Sequence, residues 1–207
     1  MSTRSGPAWP ASLAEGPVGL RPLRYRDARA WSEVRDRNAD WLQPWEPTPP
    51  SERAGGPVTY RQMVRRLNAQ ARSGEAFPWA VTYDARLVGQ LTVAGVTRGS
   101  AQTGSAGYWV DREVAGRGII PAALAMAVDH CFFVAGLHRI EVNIRPENRA
   151  SIRVVEKLGL RLEGTRSLFL HIDGAWRDHL SFAVTVEEVP GGLLRRWRET
   201  RRPTASA

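Results

Sequence analysis

The chain has 207 residues, a mass of 23.0 kDa and a formal charge of +8 at pH 7. This length suits one well-packed domain, and 43% hydrophobic with 24% charged residues excludes general disorder. No apolar run approaches the roughly 20 residues that cross a bilayer, and the start of the chain lacks the apolar stretch of a secretory signal, so we expect a cytoplasmic protein without a membrane segment.

The first third of the chain predicts a strand and two helices behind a mobile arm. Residues 1–17 are rich in Pro, Gly, Ser and Ala and show no period, so we expect a flexible N-terminal arm. A strand is predicted at 19–24, followed by a helix that Asp27 caps. Residues 41–47 contain two prolines and two tryptophans and predict an irregular loop. A second helix is predicted at 59–72.

The rest of the domain alternates strands and helices. Asp84-Ala85 and Asp173-Gly174 predict two tight turns between neighbouring strands. A strand, a long helix and another strand follow one another between residues 105 and 144, which predicts one parallel pair in an otherwise antiparallel sheet. Strands are predicted at 78–83, 86–96, 105–110, 138–144, 162–172 and 176–185, and helices at 118–136 and 148–158.

Arginine dominates the positive charge, and the end of the chain is especially rich in it. Residues 189–207 predict a basic, partly disordered tail, so the folded domain should span 18–188. A basic protein suits a polyanionic partner, either a phosphorylated cofactor or nucleic acid reached through a ribosome. Cys131, the single cysteine, lies in an apolar helical pattern and predicts a packing residue. The four histidines lack metal-site spacing, and we expect no metal.

The segment from Tyr108 to Leu124 carries the clearest chemical signal. A predicted strand leads through a glycine-containing turn directly into the long helix, whose free N–H groups and partial positive field suit a phosphate. Gly116 and Gly118 allow close approach of the backbone, and Arg117 adds a charge. Pro121 stands where a dinucleotide-binding fold needs its third glycine, so a different nucleotide-like ligand is indicated.

The order of elements and four segments resemble the GNAT superfamily of N-acetyltransferases, in particular the ribosomal-protein acetyltransferases of the RimJ and RimL type. The resemblance covers residues 18–188, and the segment at 143–159 is its most specific part. It implies an α+β fold, with a mixed, mostly antiparallel sheet of seven strands, about four helices and one central parallel pair. It also implies acetyl-coenzyme A as cofactor. The segments are 19–24, 41–47, 108–124 and 143–159.

The resemblance further implies the cofactor site. The turn would grip the diphosphate, with Ala115, Gly118 and Ile120 in the places of the family's motif. The strand before it would hold the pantetheine arm and is often splayed by a bulge. Asn148 would contact the cofactor and Ser151 would lie near its sulfur, although both residues also suit helix capping. The implied cofactor residues are Trp109, Val110, Asp111, Ala115, Gly116, Arg117, Gly118, Ile119, Ile120, Asn148 and Ser151.

Acetyl transfer needs a neutral amine and a proton for the departing thiolate. Ser151 is the expected acid, because the tyrosine that some relatives use corresponds to Val155. Glu141 is the expected base, with a plain solvent-facing carboxylate as the alternative. A strand N–H near Val110 is the expected donor to the carbonyl oxygen. Expected substrate contacts are Trp45, Glu46, Tyr108 and His171.

Three functions remain open from the sequence. The first is acetylation of a protein N-terminus that begins with Ala or Ser, such as that of a ribosomal protein. The second is acetylation of a small amine or an antibiotic, because this fold hosts many acceptors. The third is a non-catalytic acyl-coenzyme A-binding module, which the departures at Ala115, Ile120 and Val155 motivate. The protein is expected to be a monomer or a homodimer.

Overall fold

The fold is an eight-stranded mixed sheet with helices on both faces, seen in a computed structural model that describes residues 8–51 and 58–201. Only β5 and β6 run parallel, and the strand order across the sheet is β1-β2-β3-β4-β5-β6-β8-β7. The strands are β1 (Leu13–Glu15), β2 (Val18–Pro22), β3 (Phe77–Tyr83), β4 (Arg86–Thr97), β5 (Thr103–Val110), β6 (Arg139–Ile144), β7 (Arg161–Ile172) and β8 (Ala175–Thr185).

Six α-helices connect and cover these strands, so the prediction of an α+β fold with one central parallel pair is confirmed. The sheet has one strand more than predicted, because β1 lies within residues 1–17, where a mobile arm is predicted. No described helix has the length and apolar character needed to span a membrane. The helices are α1 (Ala28–Arg37), α2 (Ala39–Leu42), α3 (Tyr60–Arg72), α4 (Ile119–Phe133), α5 (Arg149–Lys157) and α6 (Leu193–Thr200).

The sheet separates two hydrophobic cores. The larger lies on the face covered by α4, α5 and α6, which we call the α4 face, and includes Trp79, Leu124 and Ile140. The smaller lies under α1 and α3 on the opposite face, the α1 face, and includes Val34 and Val64. Alternation along each strand therefore decides which face a side chain serves.

The described part of the predicted arm is packed rather than mobile. Trp9 is only 9% exposed and meets the ring of Trp79 edge to face, with centroids 5.4 Å apart. The Nε2 atom of His130 lies 2.8 Å from the carbonyl oxygen of Ala8. Aromatic burial thus anchors residues 8–15 to the α4 face, an effect that their Pro- and Gly-rich composition hides. Residues 1–7 lie outside the described part.

Residues Leu193–Thr200 of the predicted C-terminal tail form helix α6, and residues 202–207 lie outside the described part. Its first N–H groups, those of Leu193 and Leu194, donate to the carboxylate of Asp129 in α4, and Leu193 is fully buried. At its other end, Trp197 is 6% exposed and packs against Gly118 at the start of α4. The helix therefore runs antiparallel to α4. Leu and Trp alternate with Arg in α6, so the helix is amphipathic. Its many arginines conceal this apolar pattern in the sequence.

The prediction of a fully irregular loop at residues 41–47 is wrong. Residues 39–42 form α2, and Gln43–Trp45 continue as a 3₁₀ turn with Pro44 in its first turn. Proline is tolerated there because the first N–H groups of a helix have no internal partner. The segment then pairs with the tip of β7 through a bridge between Pro47 and Ile172.

Candidate functional site

A slot opens where the parallel strands β5 and β6 separate. Their pairing covers only Thr103–Ser105 against Arg139–Glu141, although β5 continues along β4 to Val110 and β6 continues along β8 to Ile144. The expected splay is therefore present. It arises because this pairing ends, while the bulge between β4 and β5 lies elsewhere, between Ala94 and Thr97.

Backbone groups of β5 point into this slot. The N–H of Asp111 donates to Val88 of β4, at 2.7 Å. In an antiparallel ladder alternate residues bond to the same neighbour, so the backbone groups of Tyr108 and Val110 point away from β4 and towards β6. Because β6 has diverged there, they are open to a ligand. This geometry fits the expected role of a Val110 N–H as a donor to a carbonyl oxygen.

The turn at 115–120 presents a run of free donors. The N–H groups of Gly116, Arg117, Gly118, Ile119 and Ile120 donate to no acceptor in the described part of the chain, whereas those of Ala115 and Ala122 are bonded. The first three of these N–H groups lie just before α4, and those of Ile119 and Ile120 belong to its first turn, where the helix adds its partial positive field. A row of backbone donors of this kind fits a diphosphate.

Glycine is required at two positions of this turn. Gly116 has φ 83° and Gly118 has φ 81°, in the left-handed region that side chains disfavour. A Cβ on Gly118 would also lie 3.3 Å from Cζ2 of Trp197. The side chain of Ile120 is 5% exposed, so its bulk is buried and leaves the backbone free. Arg117 lines a cavity of about 460 Å³ shared with Arg86 and the β3–β4 turn.

The start of α5 faces the slot from the α4 face. Asn148 is the N-cap, and its Oδ1 accepts the N–H of Ser151 at 3.0 Å. The Tyr108 hydroxyl donates to the carbonyl of Ser151 at 3.4 Å. Burial raises the pKa of Tyr108, and a side-chain hydrogen bond from Ser151 lowers it only in part, so the phenol is neutral.

Tyr108 therefore lies on the cofactor side of the sheet, and its expected role in binding the acceptor is not favoured. Val155 lies on the inner face of α5 and is fully buried, so its side chain does not reach the site.

Trp109 and Asp111 hold the strand end rather than reach the slot. Trp109 lies on the α1 face, edge to face with Trp31, with the Arg35 guanidinium 5.3 Å from its ring. Asp111 is 2% exposed and accepts hydrogen bonds from Arg37 and from the N–H of Glu113. Their side chains are therefore not available for the expected cofactor contacts, which only backbone groups can make.

A polar groove opens to the slot on the α1 face. Gly107 is exposed, and a Cβ placed there would meet nothing within 4 Å. Beside it, Nδ2 of Asn143 donates to Oγ of Ser105 at 3.3 Å. Asn143 lies directly opposite Ser181 of β8 in the strand register. Oδ1 of Asn143 and Oγ of Ser181 are both buried, and neither has a hydrogen-bond partner among the described residues.

The geometry argues against Glu141 as a free base. Its Oε1 accepts from Arg139 at 3.0 Å and its Oε2 accepts from Arg166 at 2.6 Å. Arg139 also binds Glu163. The Glu141 carboxylate therefore belongs to a network of alternating charges at the end where β5 and β6 pair. Both oxygens of the Glu141 carboxylate are therefore occupied by guanidiniums, and neither is open to an incoming amine.

The expected acceptor contacts Trp45, Glu46 and His171 meet at one end of the groove. Glu46 is paired with Arg35, and the Arg145 guanidinium lies 5.5 Å from the ring of Trp45. Nδ1 of His171 lies 3.0 Å from Oγ1 of Thr48. These contacts tie the segment 43–48 to α1 through Arg35, to the chain after β6 through Arg145 and to β7 through His171.

Sequence reasoning missed three residues of this region. Asn38 is 3% exposed, and its Oδ1 accepts the N–H of Arg112 just before the turn. Ser181 and Trp197 were missed because each lies far from the motif in sequence. Among the described residues, no three His, Cys, Asp or Glu side chains converge as a metal site.

The comparisons with known proteins agree with this geometry. The pattern of the Acetyltransferase (GNAT) domain matches residues 18–161. Mycobacterium smegmatis RimJ, solved in complex with CoA-disulfide, is 41% identical over 95% of this chain and 97% of that one, with a TM-score of 0.85. Escherichia coli ribosomal protein uS5 alanine N-acetyltransferase is 29% identical, covering 83% of this chain and 90% of that protein. The ribosomal-protein-S5-alanine acetyltransferase of Vibrio fischeri is 28% identical, with a TM-score of 0.75, over 85% and 97% of the two chains.

Proposed function

The chain belongs to the GNAT acetyltransferase family and uses acetyl-coenzyme A, and we propose that its acceptor is the N-terminal amine of a protein that begins with Ala or Ser. The relatives named above that act on ribosomal protein S5 modify an alanine, which supports this choice. The observation that carries the proposal is a slot with a donor-rich turn on one face of the sheet and an open polar groove on the other.

The two faces of the sheet bind different substrates, the cofactor on the α4 face and the acceptor on the α1 face. On the α4 face, the free N–H groups of 116–120 bind the diphosphate, and the cofactor supplies an acetyl thioester when bound. On the α1 face, the floor at Gly107 lets a chain end approach without a side chain in its way. A free N-terminus is narrow enough for such an entrance, and the segment 43–48 borders the space that the following residues would occupy.

The chemistry then needs little more than position and proton transfer. The amine nitrogen forms a bond to the carbonyl carbon, and the bond from that carbon to sulfur breaks. The N–H of Val110 donates to the carbonyl oxygen, and the Ser151 hydroxyl donates a proton to the departing sulfur. The amine gives its proton to water in the groove. Holding both reactants in place removes a barrier of up to roughly 7–11 kcal/mol.

Transfer from labelled acetyl-coenzyme A to defined acceptors tests the proposal. The acceptors are peptides that begin with Ala or Ser, the same peptides with a blocked N-terminus and an internal Lys, and small amines including an aminoglycoside. We expect label on the free N-termini only. Faster transfer to a small amine would replace the proposed acceptor. Cofactor binding without transfer to any amine would indicate a non-catalytic binding module.

A further inference from the structure

Two buried polar atoms at the mouth of the slot have no hydrogen-bond partner in the part of the chain that the structure describes. These are Oδ1 of Asn143 and Oγ of Ser181, and Ser181 is 6% exposed. A buried polar atom left without a hydrogen bond destabilises the folded state, so folding alone does not favour this arrangement. Asn143 and Ser181 face each other across β6 and β8, which places their Cβ atoms roughly 5 Å apart on the same face. The pair can therefore bind one small group from two sides.

The pair lies where the acceptor must enter. Asn143 is two residues beyond Glu141, the last residue of β6 that pairs with β5. On the other side of the slot, Gly107 leaves open space on the same face. In the structure Nδ2 of Asn143 donates to Oγ of Ser105, which leaves Oδ1 as the amide atom that faces away from this bond. What remains at the slot mouth is a hydrogen-bond acceptor beside a hydroxyl.

We propose that Asn143 and Ser181 bind the acceptor amine in its uncharged form and so select an α-amine over the side chain of lysine. This inference rests on the proposed function. A neutral amine has two N–H bonds and one lone pair. Donation of the two N–H groups to Asn143 and Ser181 directs the lone pair into the slot. An ammonium has a third proton in place of that lone pair.

The charges around the pair disfavour an ammonium. Glu141 is the nearest carboxylate along this face of β6, and Arg139 and Arg166 occupy both of its oxygens. His179 lies on the same face of β8; burial lowers its pKa, and its Nδ1 lies 3.0 Å from the carbonyl of Arg177. An incoming amine therefore meets the positive charges of Arg139 and Arg166 and a neutral His179, and these disfavour its protonated form. An α-amine, with a pKa near 8, loses its proton far more readily than a lysine, with a pKa near 10.4.

The Ser181→Ala variant gives the first test. Removal of an unsatisfied hydroxyl should leave the Tm unchanged or raised, while KM for an Ala-starting peptide rises about tenfold and the Kd for coenzyme A stays constant. Thr103→Val is the matched control, because Thr103 Oγ1 is also buried without a partner but lies at the closed end of the β5–β6 pairing. We expect Thr103→Val to leave KM unchanged.

The Asn143→Asp variant gives the second test. A carboxylate at this position favours an ammonium in the bound complex, so the apparent pKa in the pH profile of kcat should rise by about one unit. Activity at pH 7 should then fall about tenfold and recover at pH 9. Wild-type behaviour of both variants would overturn the inference and leave the function intact. A wild-type protein that acetylates no N-terminus would instead overturn the proposed function.

Discussion

Asn38 and Asp111 lie 73 residues apart in sequence, and Nδ2 of Asn38 donates to Oδ1 of Asp111 at 2.9 Å. The same amide donates to the carbonyl of Val34, and its oxygen accepts the N–H of Arg112. The end of α1 is thereby fastened to the end of β5, immediately before the anion-binding turn. A single buried amide thus couples the helix on the α1 face to the backbone that would hold the cofactor.

Asp111→Asn should lower the stability at neutral pH by about 2 kcal/mol, because it removes a buried charge that Arg37 and Asn38 bind. Burial alone would raise the pKa of Asp111, but these hydrogen bonds outweigh it and lower the pKa. The charged form is therefore favoured in the folded state. Its contribution is complete above the unfolded pKa near 4 and is lost as the pH falls through the lower folded value.

Urea unfolding of both proteins between pH 3 and 8 measures this difference. The gap between wild type and Asp111→Asn should be constant above about pH 5 and narrow below about pH 4. Glu33→Gln is the control, since Glu33 forms an exposed pair with Arg29 and the substitution should leave the free energy of unfolding nearly unchanged. A gap that does not change with pH would show that the charge of Asp111 is not what stabilises the junction.

Gly118→Ala should weaken cofactor binding more than Gly116→Ala. Both positions have left-handed φ values, so each alanine costs roughly 1–2 kcal/mol in strain. Only at Gly118 would the new Cβ press on Trp197 of α6, at 3.3 Å, while Gly116 has open space. Calorimetric titration with coenzyme A and a thermal melt separate the two effects. Equal losses in both variants would mean that α6 does not support the turn.

Ser151→Ala should lower kcat about a hundredfold and leave the Kd for coenzyme A within about twofold, because the Ser151 hydroxyl is proposed to protonate the sulfur. Asn148→Ala is the contrast. It removes the cap that holds the N–H of Ser151 and should cost about 1 kcal/mol of stability. Steady-state kinetics with an Ala-starting peptide give both parameters. A parallel loss of affinity and kcat in Ser151→Ala would make it a binding residue only.

Local signals in the sequence were sufficient for most of the domain. The turn from Ala115 to Ile120, the cap at Asn148 and the hairpin at Asp173 all depend on residues within a few positions of one another, and each is seen where it was predicted. The buried strand–helix–strand unit likewise followed from periodicity. Such features depend on backbone propensity and capping, which short segments encode.

The parts that sequence reasoning missed depend on contacts between distant segments. Trp9 and Trp197 lie in segments whose composition suggests mobility, yet a large aromatic ring buried against the core outweighs that tendency. Ser181 faces Asn143 only because β8 pairs with β6 in one register. The pairing of Glu141 with Arg166 likewise required the position of β7. No local pattern indicates these neighbours.

Glu141→Gln tests the base that the family resemblance suggested. Because two guanidiniums hold the carboxylate, the substitution should reduce kcat by no more than about threefold, and it should lower the Tm by breaking the network with Arg139 and Arg166. The pH profile of kcat should keep its shape. A loss of a hundredfold or more in kcat, with an unchanged Tm, would restore Glu141 as the base and overturn the view of it as an ion-pair partner.

Gly107→Val should block the acceptor and spare the cofactor. Gly107 does not have a left-handed φ, and an added Cβ meets nothing within 4 Å, so the fold should tolerate the side chain. The valine would stand in the groove beside Asn143, on the face opposite α4, where the amine has to pass. We expect at least a hundredfold fall in kcat/KM for Ala-starting peptides, with the Tm within a few degrees of wild type and the Kd for coenzyme A unchanged. Gly107→Ala, which adds a single methyl group, should give an intermediate loss, because obstruction grows with side-chain volume. Full activity of the valine variant would show that the acceptor reaches the thioester by another path, and a loss of coenzyme A binding would place the cofactor on the α1 face.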